Sequence, residues 1–207
     1  MNSKKVIVIT SESNYAVGNL FVKALKNLGH EVERFDLFKV LLTYEKGGWL
    51  GRKVNRFWPV EAWTRKANRE LAVFIQRFQP DHILISGDNP VQIGALAFAR
   101  SILPDLKVTL FWPDTLVNLS FSITQLSPVV DNLASYSSTA IDQFKLMGFR
   151  HCMWMPFAGD VEFLLDESEE VSPGLYKYDC SFVGGWRPER ELVLEKITTS
   201  MPDISLR

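Results

Sequence analysis

The fold is decided by residues 6–35, which read VIVITSESNYAVGNLFVKALKNLGHEVERF. The β-branched run at residues 6–10 predicts a strand that is buried on both faces. Apolar residues then recur at helical spacing over residues 20–28, Gly29 supplies a helix C-cap, and residues 31–35 predict a second strand. Strand, helix and strand in this order form a βαβ unit, which implies a parallel sheet with a right-handed crossover.

The same alternation continues after a longer insertion. Strands are predicted at residues 82–85, 107–112, 132–136 and 152–155, and helices at residues 93–102 and 138–147. Repeated βα units of this kind predict a doubly wound, Rossmann-like parallel sheet that occupies residues 1–160.

The remainder of the chain has a different character. Residues 161–177 are rich in aspartate and glutamate and predict an exposed acidic linker. Residues 178–207 predict a buried strand, a glycine turn and the first turns of an amphipathic helix, which is how a nucleotide-binding α/β domain begins. Because only a short polar tail follows, we expect an incomplete second lobe, either in a truncated chain or with this tail packed on the first lobe.

Composition narrows the class of protein. The chain has 207 residues, a formal net charge of −1 and a pI near 6.3, so no global field attracts nucleic acid or an anionic membrane. Two cysteines, Cys152 and Cys180, make no disulfide framework. The apolar run near the N-terminus is too short for a signal peptide or a membrane span. We expect a soluble cytoplasmic protein.

Polar side chains follow three of the predicted strands, at the sheet edge where doubly wound folds bind ligands. We predict catalytic roles for Asp88 and Asp114 as general bases, and substrate contacts from Ser11, Glu12, Asn14, Gly18 and Asn89. The first loop lacks a G-x-G-x-x-G fingerprint, since its glycine, Gly18, comes late.

Each of these residues also has a purely structural interpretation. Asp88 or Asn89 would cap a helix that begins near Pro90, and Asp114 would form a turn after Pro113. The polar residues 11–14 would cap the first helix. The sequence leaves both interpretations open.

Residues 46–70 alternate cations with tryptophans. Such a pattern suits contact with an anionic membrane surface or a polyanionic acceptor. The alternative, which we favour from the sequence, is a helix whose tryptophans pack on the sheet and whose cations are solvated.

Other chemistries lack support. The three histidines, His30, His82 and His151, show no metal-ligand spacing. A P-loop and a G-x-S-x-G elbow are both absent from the sequence. We therefore expect neither a metal nor another cofactor, and no nucleic-acid partner.

Several segments, taken in order, resemble the CgeB-like (spore-maturation type) glycosyltransferases, which have the GT-B architecture. The resemblance spans nearly the whole chain and is carried by residues 28–32 (LGHEV), 79–84 (QPDHIL), 111–114 (FWPD), 144–149 (FKLMGF), 155–158 (MPFA), and 178–184 (YDCSFVG) with 188–190 (PER). The last segment is the most specific, whereas LGHEV is common to many Rossmann-like lobes.

The resemblance implies sugar transfer from a nucleotide-sugar to an acceptor between two Rossmann-like lobes, the first of which shapes the acceptor side. Gly184 and Gly185 would let the backbone approach the donor diphosphate, and Arg187 and Arg190 would pair with its charge without a metal. These arginines could equally be solvated or paired with neighbouring glutamates. Lacking the rest of the donor lobe, the 207-residue chain is expected to be weakly active or inactive.

A different class of function remains open. The alternative is a non-catalytic Rossmann-like binding or interaction module, with the basic, tryptophan-containing segment at residues 46–70 as its contact surface.

Overall fold

A computed structural model of the chain describes residues 2–13, 16–46, 48–57, 60–159 and 178–205. It divides into two compact units, residues 1–159 and 160–207. The predicted acidic linker, residues 161–177, lies outside the described residues.

The first unit is built on a parallel six-stranded sheet with the order β2-β1-β3-β4-β5-β6. Its strands are β1 (Lys5–Ile9), β2 (Glu31–Phe35), β3 (His82–Ser86), β4 (Lys107–Trp112), β5 (Asn132–Ser135) and β6 (His151–Trp154). Each of the six predicted strands is present, with ends that differ by at most one residue. The apolar runs fix these positions because central parallel strands are buried on both faces.

The helices of this unit are α1 (Val17–Asn27), α2 (Leu37–Tyr44), α3 (Gly48–Phe57), α4 (Glu61–Phe78), α5 (Ile93–Ile102), α6 (Phe121–Thr124) and α7 (Ile141–Leu146). Helix α1 ends where the sequence predicts, because Gly29 adopts a φ of +83° and His30 N–H donates to Leu25 O. Helices α2 to α4 occupy the insertion before β3. Helix α2 begins at Leu37 and is capped by Asp36, whose carboxylate accepts the Lys39 N–H at 2.9 Å.

The helices cover the two faces of the sheet unequally. One face packs α1 through Phe21 and Leu25 against Val8 and Phe111. The opposite face carries a larger core, to which α2, α4, α5, α6 and α7 contribute buried side chains. This division follows from right-handed crossovers, since β1 connects to β2 in one direction and all later connections run the other way.

The second unit differs from the sequence prediction. Helix α8 (Pro188–Ser200) forms, with Pro188 in its first turn. The strand predicted after Tyr178 is wrong: Cys180 makes one isolated bridge, and residues 180–187 are exposed. A strand requires a ladder of neighbours, and the described backbone partner here is Ser205 O, which accepts from Asp179 N–H and Cys180 N–H.

One carboxylate joins the chain before helix α8 to the chain after it. Asp179 accepts the Ser205 N–H at 2.9 Å and its hydroxyl at 2.6 Å. The hydrogen bonds from the Ser205 hydroxyl and N–H lower the pKa of this exposed aspartate below its ordinary value.

Candidate ligand site at the carboxyl edge of the sheet

The topological switch point of the sheet lies between β1 and β3. These strands are paired neighbours, yet the chain leaves β1 towards α1 on one face and leaves β3 towards α5 on the other. The loops after β1 and β3 therefore leave the sheet on opposite faces, and doubly wound sheets bind ligands in the crevice expected at such a switch point.

Asn89 spans the switch point. Its side-chain amide donates to Ser86 O at the end of β3 at 2.7 Å and to Ile9 O at the end of β1 at 3.4 Å. The residue is 3% exposed, and its Oδ1 atom is buried without a hydrogen-bond partner among the described residues. An unsatisfied buried acceptor costs free energy, so this carbonyl is suited to receive a donor from a ligand or a water molecule.

The capping interpretation of Asp88 and Asn89 is wrong. Helix α5 begins at Ile93, and its N-cap residue is Gln92. The Gln92 N–H is instead satisfied by Asn68 Oδ1 of helix α4, at 2.8 Å.

Asn68 is a supporting residue that the sequence analysis missed. It is buried, and its amide also donates to Pro90 O and to Thr64 O, each at 2.9 Å. Asn68 therefore fixes the backbone that follows Asn89. A polar residue beside the buried stripe of Ala67, Leu71 and Ile75 could have indicated such a role, because buried polar groups require partners.

Asp88 is exposed and faces a hydroxyl pair from the loop after β4. Its carboxylate accepts the Ser120 hydroxyl at 2.5 Å, and Ser120 contacts the Ser122 hydroxyl at 2.8 Å. Gly87 N–H donates to Phe111 O at 2.9 Å, which holds the β3 loop against the end of β4. The structure thus joins two of the three predicted loops through Asp88.

The Asp114 carboxylate forms hydrogen bonds within its own turn. Its two carboxylate oxygens accept the Thr115 N–H at 2.7 Å and the Asn118 amide at 2.9 Å. These contacts match the turn-forming interpretation. They leave the carboxylate partly exposed beside the β4 terminus.

The Glu12 carboxylate forms ion pairs with two basic side chains. Its carboxylate lies 2.5 Å from Lys39 Nζ and 3.5 Å from Arg34, and its backbone N–H donates to Asp36 at 2.7 Å. These contacts tie the β1 loop to α2 rather than directing Glu12 towards the crevice. Ser11 Oγ accepts the Ser13 N–H at 3.2 Å, and Asn14 lies outside the described residues.

Gly18 packs against a strand instead of lining the crevice. It is buried in the first turn of α1, and a Cβ at this position would lie 2.2 Å from Thr10 Oγ1 and 2.4 Å from Thr10 Cβ. The glycine thus permits close approach of α1 to the end of β1. This is the packing role that a late glycine plays in a Rossmann-type first turn.

The predicted phosphate-binding residues gather at the start of α8. Arg187 is the N-cap residue, and Arg190 Nη1 donates to Gly185 O at 2.8 Å with its guanidinium 5.8 Å from the Phe182 ring centroid. A Cβ at Gly184 would lie 2.8 Å from the tip of the Phe182 ring, so a side chain there would displace that ring. A cavity of about 300 Å³ at this place is lined by both cations and acids: Phe182, Gly185, Trp186, Arg187, Arg190, Glu191, Leu194 and Glu195.

The described ranges contain neither a cluster of metal ligands nor a membrane-spanning helix. Among those residues, no three histidine, cysteine, aspartate or glutamate side chains come together as a metal site. Across the same ranges, every helix is too short or too polar to cross a bilayer.

The sequence matches no protein-family model and no curated protein. Solved structures do share its fold. MurG of Acinetobacter baumannii superposes with a TM-score of 0.52 at 11% identity over 97% of this chain and 58% of that one. The S. aureus MnaA–UDP co-structure gives 0.52 at 14% identity, over 98% of this chain and 60% of that one.

These similarities show a GT-B-type fold, and the six-stranded Rossmann-like unit corresponds to the N-terminal lobe of such proteins. The chain spans about three-fifths of the length of MurG and MnaA.

Proposed function

We propose that this chain carries the acceptor-side lobe of a glycosyltransferase that moves a sugar from a nucleotide-sugar to an acceptor hydroxyl. We further propose that the enzyme is of the CgeB-like type, on the strength of the sequence segments quoted above. The GT-B-type fold supports the general reaction. The UDP bound in the MnaA co-structure supports a nucleoside diphosphate as the donor's leaving group.

One observation carries the proposal: the buried Asn89 Oδ1 at the switch point between β1 and β3 has no partner among the described residues. This atom accepts a hydrogen bond and cannot donate one, so it favours a ligand that presents a hydroxyl or an N–H group. Sugars are rich in such donors. Two backbone carbonyls hold the amide in place, so the acceptor is preorganised for its ligand.

Asp88 is the proposed general base. In an inverting reaction the acceptor oxygen attacks the anomeric carbon as the bond to the diphosphate breaks, and the acceptor's proton passes to a carboxylate. Asp88 is exposed on the loop that also carries Asn89, and Ser120 orients one of its oxygens. Asp114 is assigned to shaping the neighbouring turn, because both its oxygens already accept local hydrogen bonds.

The start of α8 is proposed to hold the donor diphosphate. Backbone N–H groups at a helix N-terminus attract anions, and Arg187 and Arg190 add formal positive charge beside Gly184 and Gly185. Arg190 would exchange its bond to Gly185 O for a phosphate oxygen. This neutralisation needs no metal ion, and we propose none.

Binding of UDP and UDP-sugars by calorimetry tests this function. The titration is performed on the 207-residue chain and on a longer protein in which this chain is followed by a second Rossmann-like lobe. Binding and turnover in the longer protein are expected, with weak or no turnover in the shorter one. If neither protein binds a nucleotide-sugar, the transferase is excluded and a non-catalytic interaction module is favoured.

Exchanging each carboxylate tests the assigned roles in the longer protein. Asp88→Asn is expected to lower kcat by about 10²-fold or more with little change in KM, since general-base catalysis contributes roughly 10² to 10⁴. Asp114→Asn is expected to have a smaller effect on kcat. Equal kcat values for Asp88→Asn and the unsubstituted enzyme would remove Asp88 as the base.

A further inference from the structure

Helix α3 exposes apolar residues and buries polar ones. Its exposed stripe consists of Trp49, Leu50, Lys53 and Phe57, and the three apolar members are 69%, 62% and 75% exposed, respectively. Leu50, Lys53 and Phe57 follow Trp49 by one, four and eight residues, and this spacing places all four residues on one side of the helix. We call this stripe the α3 outer face.

The inward side of the same helix is small and polar. A Cβ at Gly51 would lie 1.8 Å from Lys46 O, so the helix packs closely there. One turn later, buried Asn55 donates to Glu45 at 2.6 Å and accepts the Val60 N–H at 2.6 Å. Hydrogen bonds therefore anchor α3 to its neighbours, and the large apolar side chains are left outside.

This arrangement is contrary to that of an ordinary surface helix, which directs its apolar stripe towards the core. The interpretation favoured from the sequence, in which the tryptophans pack on the sheet, holds for Trp63, which packs against the core, and is wrong for Trp49. Exposed large apolar residues on one stripe mark a binding surface.

The charge of the helix points to an anionic partner. Between residues 48 and 57 the sequence contains Arg52, Lys53 and Arg56 and no aspartate or glutamate, and the exposed Lys46 lies just before the helix. Lys53 Nζ lies 5.1 Å from the Trp49 ring centroid, so one cation and one aromatic ring share the outer face. Tryptophan beside basic residues is typical of side chains at a bilayer interface.

We propose that the α3 outer face binds the surface of an anionic lipid membrane. Trp49, Leu50 and Phe57 enter the boundary between headgroups and acyl chains, and Lys46 and Lys53 contact lipid phosphates. A second copy of the chain is a poorer occupant, because a two-fold interface would bring the same cations together. A peripheral site of this kind would hold the protein against a membrane surface.

Vesicle flotation of the whole 207-residue chain tests the proposal. The chain is expected to float with vesicles of phosphatidylcholine mixed with phosphatidylglycerol and to remain unbound with pure phosphatidylcholine. Added salt is expected to weaken the binding, since surface charges are screened. Absence of flotation, or equal flotation with both vesicles, would overturn the proposal.

Variants separate the apolar and electrostatic contributions. The double change Trp49→Ala with Phe57→Ala is expected to weaken partitioning by about tenfold or more. Lys53→Glu is expected to weaken it by about twentyfold, because it reverses a charge near an anionic surface. All three residues are exposed, so circular dichroism and the melting temperature should be unchanged.

Matched changes elsewhere provide the controls. Leu146→Ala removes a still more exposed apolar side chain from α7, and Lys26→Glu reverses an exposed cation on α1. Both are expected to float as the unsubstituted chain does. If the α3 variants also float undiminished, the outer face does not bind lipid. If they instead abolish a dimer seen by analytical ultracentrifugation in the absence of lipid, the occupant is a second copy and the lipid proposal is wrong.

Discussion

Gly18 decides how closely the first helix approaches the first strand. The space that a side chain would need is filled by Thr10, which is itself buried. Backbone flexibility is a lesser consideration at this position, because Gly18 lies within a regular helix. The glycine is required by packing.

Gly18→Ala is therefore expected to destabilise the first unit by about 1–3 kcal/mol, the usual cost of overpacking a core. Gly94→Ala is the matched control, since Gly94 also lies in a helix but has no atom within 4 Å of where the added methyl group would lie. The control is expected to gain about 0.5–1 kcal/mol from helix propensity. Chemical denaturation of both variants measures the difference, and two changes of the same sign would contradict this account.

The candidate site was predictable in residue type but not in contacts. Polar residues after predicted strands correctly indicated the carboxyl edge of the sheet. The sequence could not show that Glu12 forms ion pairs with Lys39 and Arg34, because such pairs depend on the conformation of the loop after β1. Nor could it show that Asn89 joins β1 to β3, since that contact links residues 80 positions apart.

At the scale of elements, β1, β3 and β4 were the most predictable, because burial on both faces leaves a nearly unbroken apolar run. Helices α2 to α4 were not resolved from the sequence, since their order depends on packing against one another and on caps such as Asp36. The strand predicted after Tyr178 failed for a related reason. An apolar run is a strand only where a neighbouring strand offers its backbone.

Helix α4 supports the ligand-site loop through a single side chain. Asn68→Ala would leave the half-buried Gln92 N–H without its acceptor and Pro90 O without its donor. We expect a loss of about 1–3 kcal/mol in unfolding free energy, the typical cost of unsatisfied buried groups. Thermal and urea unfolding measure the loss.

Asn27→Ala is the control for this change, because Asn27 is an exposed helical asparagine. Its effect should lie within about 0.5 kcal/mol of zero. Hydrogen exchange at residues 90–92 should accelerate in Asn68→Ala alone. Unchanged exchange there would show that the loop does not depend on Asn68.

At the scale of the whole molecule, stability should fall with acid in two stages. Burial of His82 lowers the pKa of its imidazole below the ordinary 6.5, so the unfolded chain takes up a proton more readily than the folded one. Folding stability is therefore complete above that ordinary pKa and falls as the pH drops through it. His82→Gln should flatten the dependence of melting temperature on pH between about pH 7 and pH 5.

Asp131 accounts for the second stage. Burial alone would raise the pKa of its carboxyl group, but hydrogen bonds from Val108 N–H and Arg100 and the charges of Arg100 and Lys107 bring the pKa below 3.8. Its contribution is present above that value and is lost as the pH falls through the lower folded pKa. Asp131→Asn should remove this stage, and it should also extend the His82 stage to lower pH, because the Asp131 charge raises the pKa of His82 in the folded chain. A single transition common to both variants would refute the separation.

The position of β1 between β2 and β3 has a consequence for folding kinetics. Its pairing with β2 closes a short loop across α1, whereas the contact from Lys5 to Asp81 joins residues 76 positions apart. Loop-closure entropy makes the second event slower, and contacts of high sequence separation lower folding rates. We expect β1, α1 and β2 to associate early, and the joining of β1 to β3 to limit the rate. The switch-point crevice would then be among the last features to form, because both of its walls depend on that pairing.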